Sequence, residues 1–202
     1  VATAGRQAPH GLDRKLKINK GLKIKMNKRV LCVLMPENFQ DHEFNVPVTM
    51  LARKGCIVDV AGLRPGRAIG SFGLEVNPQF ILDDMTTKDF DSYDVIIIPG
   101  GGGSTTYLWD NKKLQEVVNY FYEQKKIVAT ICYACIVPVQ AGILAGKEAT
   151  VYPTDEAKAV FTKHGVIFSD QSVVSLPDWK IITAQGPTFA RPFGKAIIDM
   201  LG

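Results

Sequence analysis

Apolar positions along the chain follow two patterns, short continuous runs and stretches at helical spacing. Residues 30–35 (VLCVLM), 95–98 and 127–131 are almost unbroken apolar runs, the pattern of strands covered by helices on both faces. Between the first run and CIVDVAGL, Phe44, Pro47, Val48 and Leu51 recur at helical spacing and Gly55 closes the segment. The spacing predicts a helix over residues 41–54, with Pro47 tolerated near its start. A strand–helix–strand unit this short implies parallel strands in a layered α/β domain. Gly66, Gly70 and Gly73 punctuate residues 64–78, predicting a small hairpin excursion, and residues 80–82 a short strand. Helical pieces are expected over 104–109 and 112–122, the second with Leu114, Val117, Val118 and Phe121 on one face. Further strands are expected at 149–152, 166–168, 172–174 and 179–184, and helices over 155–162 and 189–201. The pattern as a whole predicts an open, mostly parallel sheet between helices, with its ligand site beyond the carboxyl ends of the strands. The loop 37–43, the glycine run 100–103 and Cys132 converge on that edge if the strands are parallel.

Composition narrows the picture. The 202 residues suit one domain with a sizeable core, and no linker interrupts the middle of the chain. The expected division is a basic, flexible extension over 1–28 and a single domain over 29–202. Residues 1–29 hold nine Lys or Arg against one Asp, so within the overall net charge of +4 the rest of the chain is acidic. A basic folded surface for nucleic acid is therefore not expected. No apolar run approaches the roughly 20 residues that span a bilayer, so no membrane partner is expected either. The chain is long enough to fold without staples, so its four cysteines favour a reducing compartment. The expected location is the cytoplasm, or an organelle if the basic extension is a targeting remnant. The glycine run lacks the spacing and following Lys-Ser/Thr of a phosphate loop, and histidines are scarce. Neither a cofactor nor a metal is expected.

Cys132 carries the candidate chemistry. The run 127–131 feeds an expected helix over 133–141, which places Cys132 at the junction. Unpaired N–H groups and the helix dipole there favour a thiolate, and the same N–H groups form an oxyanion site. A buried structural thiol is the plainer alternative. Cys132-Tyr133-Ala134-Cys135 also forms a CxxC at a strand-to-helix turn, which leaves dithiol exchange open. Of the two, Cys132 is expected to be the reactive thiol, because Cys135 falls one turn into the helix.

The series VLMPENFQDHE, YDVIIIPGGGG, ATICYAC, GKEATVYP and AQGPTFA resembles, in order and spacing, the ThiJ/PfpI superfamily, over residues 30–201. That superfamily shares its fold with class I glutamine amidotransferase domains. The resemblance implies a flavodoxin-like three-layer sandwich with a cysteine nucleophile elbow, in a homodimer or larger homo-oligomer. It places the nucleophile on Cys132, the glycine-rich loop on Gly101 and Gly102, and the residue after the nucleophile on Tyr133. Its members include glyoxalases or deglycases, intracellular peptidases and chaperones.

Three departures from the family pattern bear on activity. The glutamate that many members hold near the sulfur falls on Gln40, whose amide can only hydrogen-bond. Glu37 and Glu43 lie nearby, but a shift of helical register is needed for either to stand in. Tyr133 and Tyr152 occupy the positions of the histidines that peptidase-like and deglycase-like members use, leaving His42 as the near-site histidine. The expected function is therefore a thiol-dependent enzyme acting on a small carbonyl or amide compound, with weak peptidase and glyoxalase or deglycase activity. A noncatalytic redox sensor, a chaperone-like or interaction protein, and a CxxC dithiol oxidoreductase are the alternatives.

Overall fold

The structure, a computed structural model, describes residues 26–202, so nearly all of the basic extension expected over 1–28 lies outside the described residues. In chain order its strands are β1 (Arg29–Leu34), β2 (Glu37–Phe39), β3 (Ile57–Gly62), β4 (Ala68–Gly70), β5 (Glu75–Val76) and β6 (Phe80–Ile81). They continue as β7 (Val95–Ile98), β8 (Ile127–Ile131), β9 (Glu148–Ala149), β10 (Ile167–Phe168), β11 (Val173–Leu176) and β12 (Ile181–Ala184). The helices are α1 (Asp41–Arg53), α2 (Thr87–Asp91), α3 (Ser104–Tyr107), α4 (Lys112–Glu123), α5 (Ile136–Gln140), α6 (Asp155–Lys163) and α7 (Ala190–Leu201).

Seven strands form the central sheet in the order β11-β12-β8-β7-β1-β3-β6. Every pairing in it is parallel except that of β11 with β12. Residues 30–34 of β1 and all of β7 and β8 are buried, which is why their sequences are apolar without alternation. α1 and α7 pack together against the sheet, where Gly194 lets α7 approach Pro47 and Met50 of α1. α4 packs on β7 and β8, turning Leu114, Val117, Val118 and Phe121 inward. This is the expected flavodoxin-like α/β sandwich, in which the parallel strands deliver their carboxyl ends to one edge.

Two small additions shape that edge. The predicted hairpin is present as β4 and β5, which pair antiparallel. The loop expected at 37–43 instead contains β2, which runs parallel to β4 and ties the hairpin to the start of α1. The helix expected over 133–141 is also shorter and divided. A 3-10 turn over Cys132–Cys135 precedes the five residues of α5, and Pro138 lies inside that short helix.

Candidate active site around Cys132

Cys132 follows the last residue of β8, and its backbone is left-handed, with φ +60°. That conformation costs an L-residue on the order of 1–2 kcal/mol and throws the side chain out of the strand direction at the sheet's carboxyl edge. The backbone N–H of Tyr133 is directed at the sulfur. Gly100, two residues past the end of β7, presses against the same turn. A Cβ there would lie 2.7 Å from the Ile131 carbonyl oxygen and 2.8 Å from Cys132 Cβ, so only glycine fits. Gly101, with φ +130°, would likewise drive a Cβ into the Asn38 carbonyl.

The carboxylate assigned by sequence to Gln40, and therefore missing, is supplied by Glu43. Gln40 is the N-cap of α1, and its Oε1 accepts from His42 N–H at 2.9 Å. Glu43, in the first helical turn, is fully buried on the stripe that also buries Phe44, Pro47 and Leu51. Its Oε2 accepts from Gly100 N–H at 2.9 Å, while Gln40 N–H donates to Gly100 O at 2.8 Å. The start of α1 is thereby locked onto the turn that packs against Cys132. No register shift is needed, because three residues along a helix return to nearly the same face. The sequence signal was a glutamate on the apolar stripe, four residues before Pro47 and eight before Leu51.

Glu43 Oε1 has no partner at ordinary hydrogen-bonding distance, yet the carboxyl and the thiol act on each other's titration. Burial pushes the Glu43 carboxyl up to about 8, against the lowering effects of Gly100 N–H and the thiol. The Cys132 thiol is also pushed up, first by burial and then by an ionised Glu43, with Tyr133 N–H working the other way. This corrects the expectation of a thiol lowered by a helix end. The sulfur meets a short 3-10 turn and a buried acid, not a long helix with a full dipole. Once Glu43 is protonated the repulsion vanishes and its O–H becomes a donor to sulfur. Up to about pH 8 the pair therefore holds both protons, and the charge left when the first is lost is shared between the two groups.

The other sequence candidates divide sharply. Tyr133 and Tyr152 stand at the site, with ring centroids 5.4 Å apart, and Trp109 donates to the Tyr133 carbonyl at 2.9 Å. Trp109 was missed because its link to the elbow is purely tertiary. Glu37 lies half-exposed on β2, paired with Arg64 at 2.5 Å and accepting from the Tyr107 hydroxyl. His42 is exposed at the start of α1 and outside the cleft. Neither lines the cleft at Cys132. Cys135 is fully buried, its sulfur 3.5 Å from the Ala184 carbonyl and its thiol pushed up to about 12 by burial. It is a core thiol, and all four cysteines are unpaired. Above the elbow lies a cleft of about 300 Å³ lined by Cys132, Glu43, Gln40, Tyr133 and the backbone of Gly101 and Gly102. Phe72, Ser71, Tyr152 and Pro187 form its mouth.

A parallel α/β sandwich with a left-handed cysteine beside a buried carboxyl defines the class: a thiol elbow protein of the flavodoxin-like fold. Residues 28–200 match the DJ-1/PfpI family, and the chain belongs to that family. It is 40% identical to protein MJ0967 of Methanocaldococcus jannaschii, over 87% of this chain and 83% of that one. It is 29% identical to the deglycase PYRAB04690 of Pyrococcus abyssi, over 84% of this chain and 99% of that one. The fold superposes on Schizosaccharomyces pombe DJ-1 with a TM-score of 0.77 at 25% identity, covering 86% of this chain and 92% of that one. A relative named a deglycase speaks against the expectation that such chemistry is weak here. That expectation rested on Gln40, Tyr133 and Tyr152 together, and Glu43 answers only the first of the three. No helix among the described residues is long and apolar enough to cross a membrane.

Proposed function

We propose that this protein is a thiol-dependent enzyme of small carbonyl compounds, in the manner of its deglycase-named relatives, with Cys132 as nucleophile and Glu43 as its proton partner. One observation carries the reading: a fully buried carboxyl with an unpartnered oxygen stands beside a thiol on a left-handed elbow. Buried polar atoms are nearly always satisfied, and exceptions cluster where chemistry needs a free group.

The step follows from the geometry. The form of the pair that has lost one proton reacts: the sulfur attacks the carbonyl carbon while the remaining proton resides on Glu43. A sulfur–carbon bond forms and the carbonyl π pair moves to oxygen, which faces the N–H groups of the elbow and of the Gly101–Gly102 backbone. Glu43 then returns the proton to that oxygen, leaving a hemithioacetal and the pair's original charge. Tyr133 and Tyr152 line the space in which the substrate sits; no histidine takes part.

Turnover of methylglyoxal by wild type, C132S, E43Q and Gln40→Ala tests this. We expect activity to vanish in C132S and fall about 10²- to 10⁴-fold in E43Q. Gln40→Ala should cost less than tenfold, since that side chain caps a helix. Turnover that survives C132S would refute the assignment, and equal losses in E43Q and Gln40→Ala would remove Glu43 from its role.

A further inference from the structure

The mouth of the cleft holds a feature that the proton chemistry leaves unused. Phe72, at the tip of the β4–β5 hairpin, is 76% exposed, the most exposed large hydrophobic side chain among the described residues. Its backbone is nevertheless pinned. Phe72 N–H donates to Asp41 Oδ2 at 3.0 Å, Leu74 N–H to Asp41 Oδ1 at 2.8 Å, and Ser71 N–H to the Phe39 carbonyl at 2.8 Å. Gly73, with φ +88°, supplies the turn. Gly70 passes so close to the Asp41 carboxylate that a Cβ there would overlap it. Asp41 opens α1, the helix that carries Glu43, so the exposed ring and the buried acid ride on one frame.

The remaining walls share a character. Tyr152 is 44% exposed, its ring tilted against that of Tyr133, and Pro187 also lines the cleft. Among the described residues lining the cleft there is no Lys, Arg or His. The one carboxyl there, Glu43, is buried beside Cys132 and already accepts from Gly100 N–H. An anionic substrate would leave water for a cleft whose lining offers it no cation. An apolar group would instead cover rings that water now wets.

Resting on the reading of Cys132 as a carbonyl nucleophile, we infer that the site selects uncharged carbonyl compounds bearing an apolar, and best an aromatic, substituent, with Phe72 the residue that selects it. The substituent lies against Phe72 and Tyr152 while the carbonyl carbon meets the sulfur.

Selectivity is separable from turnover by alkylation. Cys132 displaces halide from 2-bromoacetophenone, iodoacetamide or iodoacetate: a sulfur–carbon bond forms, the carbon–halogen bond breaks, halide leaves and the thiol proton passes to solvent. Each rate at Cys132, located by mass mapping and divided by the rate with free glutathione, measures the cleft's own preference. We expect 2-bromoacetophenone to exceed iodoacetamide, and iodoacetamide to exceed iodoacetate by about tenfold. Phe72→Ala should lower the aromatic preference about fivefold and hold iodoacetamide within twofold, whereas Phe72→Trp should retain it. Iodoacetate reacting as fast as iodoacetamide would overturn the exclusion of anions. An aromatic preference untouched in Phe72→Ala would overturn the role of Phe72. So would a change of mass in light scattering without a change in preference, which would make the ring a contact between copies of the chain. The preference persisting while phenylglyoxal and methylglyoxal both fail to turn over would uphold the selection and refute the carbonyl chemistry.

Discussion

At the amino ends of the central strands, Asp59 accepts from Arg29 Nη2 at 2.6 Å and from the Tyr93 hydroxyl at 3.0 Å. Lys126 Nζ donates to the carbonyls of Phe90, Asp91 and Tyr93, and Asp94 accepts from Lys28 and from the Arg29 N–H. At the carboxyl ends of the same strands, Glu43 has an oxygen with no partner and Cys132 sits in a left-handed backbone. Both ends perturb protons. Burial and Asp59 push the Tyr93 hydroxyl up to about 12, and burial pushes Glu43 up to about 8. The difference lies in what each group has left to offer. Nearly every polar group of the amino-end network is engaged, with Arg29 Nε the exception, and Tyr93 is held far from neutrality. Glu43 titrates close to neutrality with a free oxygen aimed at a nucleophile. Titration near working pH and unspent hydrogen-bonding capacity distinguish a site from a brace.

The largest effect should separate the two ends by activity. E43Q should lose turnover by the hundredfold or more given above, while D59A, which touches nothing in the cleft, should leave kcat/KM within about twofold. An equal loss in D59A would break the contrast, because the amino-end network would then shape the site.

Next comes the pH dependence of stability. The unfolded chain releases the Glu43 proton near the ordinary value of 4.5, whereas the folded chain keeps it to about pH 8. Between those values the unfolded state binds fewer protons, so this group's contribution is fully present below about 4.5 and is lost as pH rises through 8. Gln carries no such proton. The stability of E43Q relative to wild type, from urea titrations, should therefore climb between pH 5 and 8 by on the order of 4 kcal/mol. A flat difference would mean that Glu43 is not held protonated by the fold.

D59A should itself lower stability by about 2 kcal/mol, since it strands the Tyr93 hydroxyl and the Arg29 guanidinium together. The part-exposed guanidinium keeps the loss below that of a fully buried pair. The smallest effect isolates the elbow. C132G should be about 1 kcal/mol more stable than C132A, because glycine adopts φ +60° without the clash that alanine meets. Equal stabilities would show that the turn stores no strain.

Much of this molecule was legible in its apolar runs. Residues 30–35, 95–98 and 127–131 announced buried parallel strands because a strand covered on both faces has no side that tolerates polarity. The β4–β5 hairpin followed from its glycines, and Cys132 from its place at the end of such a run. The length of the helix after Cys132 was not legible, because apolar residues at 136–139 suit a long helix or a short buried one equally well. The acid beside the sulfur was misassigned for a related reason. A motif compared letter by letter placed Gln40 where Glu43 lies, since linear position carries no information on which side of α1 faces the strand ends. Composition and periodicity alone determined the layers, the edge that carries the site and the cysteine at its centre, because these depend on local repeats of burial. Tertiary structure alone decided that Glu43 turns inward, that Gly100 meets the elbow and that Asp41 holds Phe72 over the cleft. Those relations join residues 31 to 89 positions apart, and they come about only when separate loops are brought together at one edge of a folded sheet.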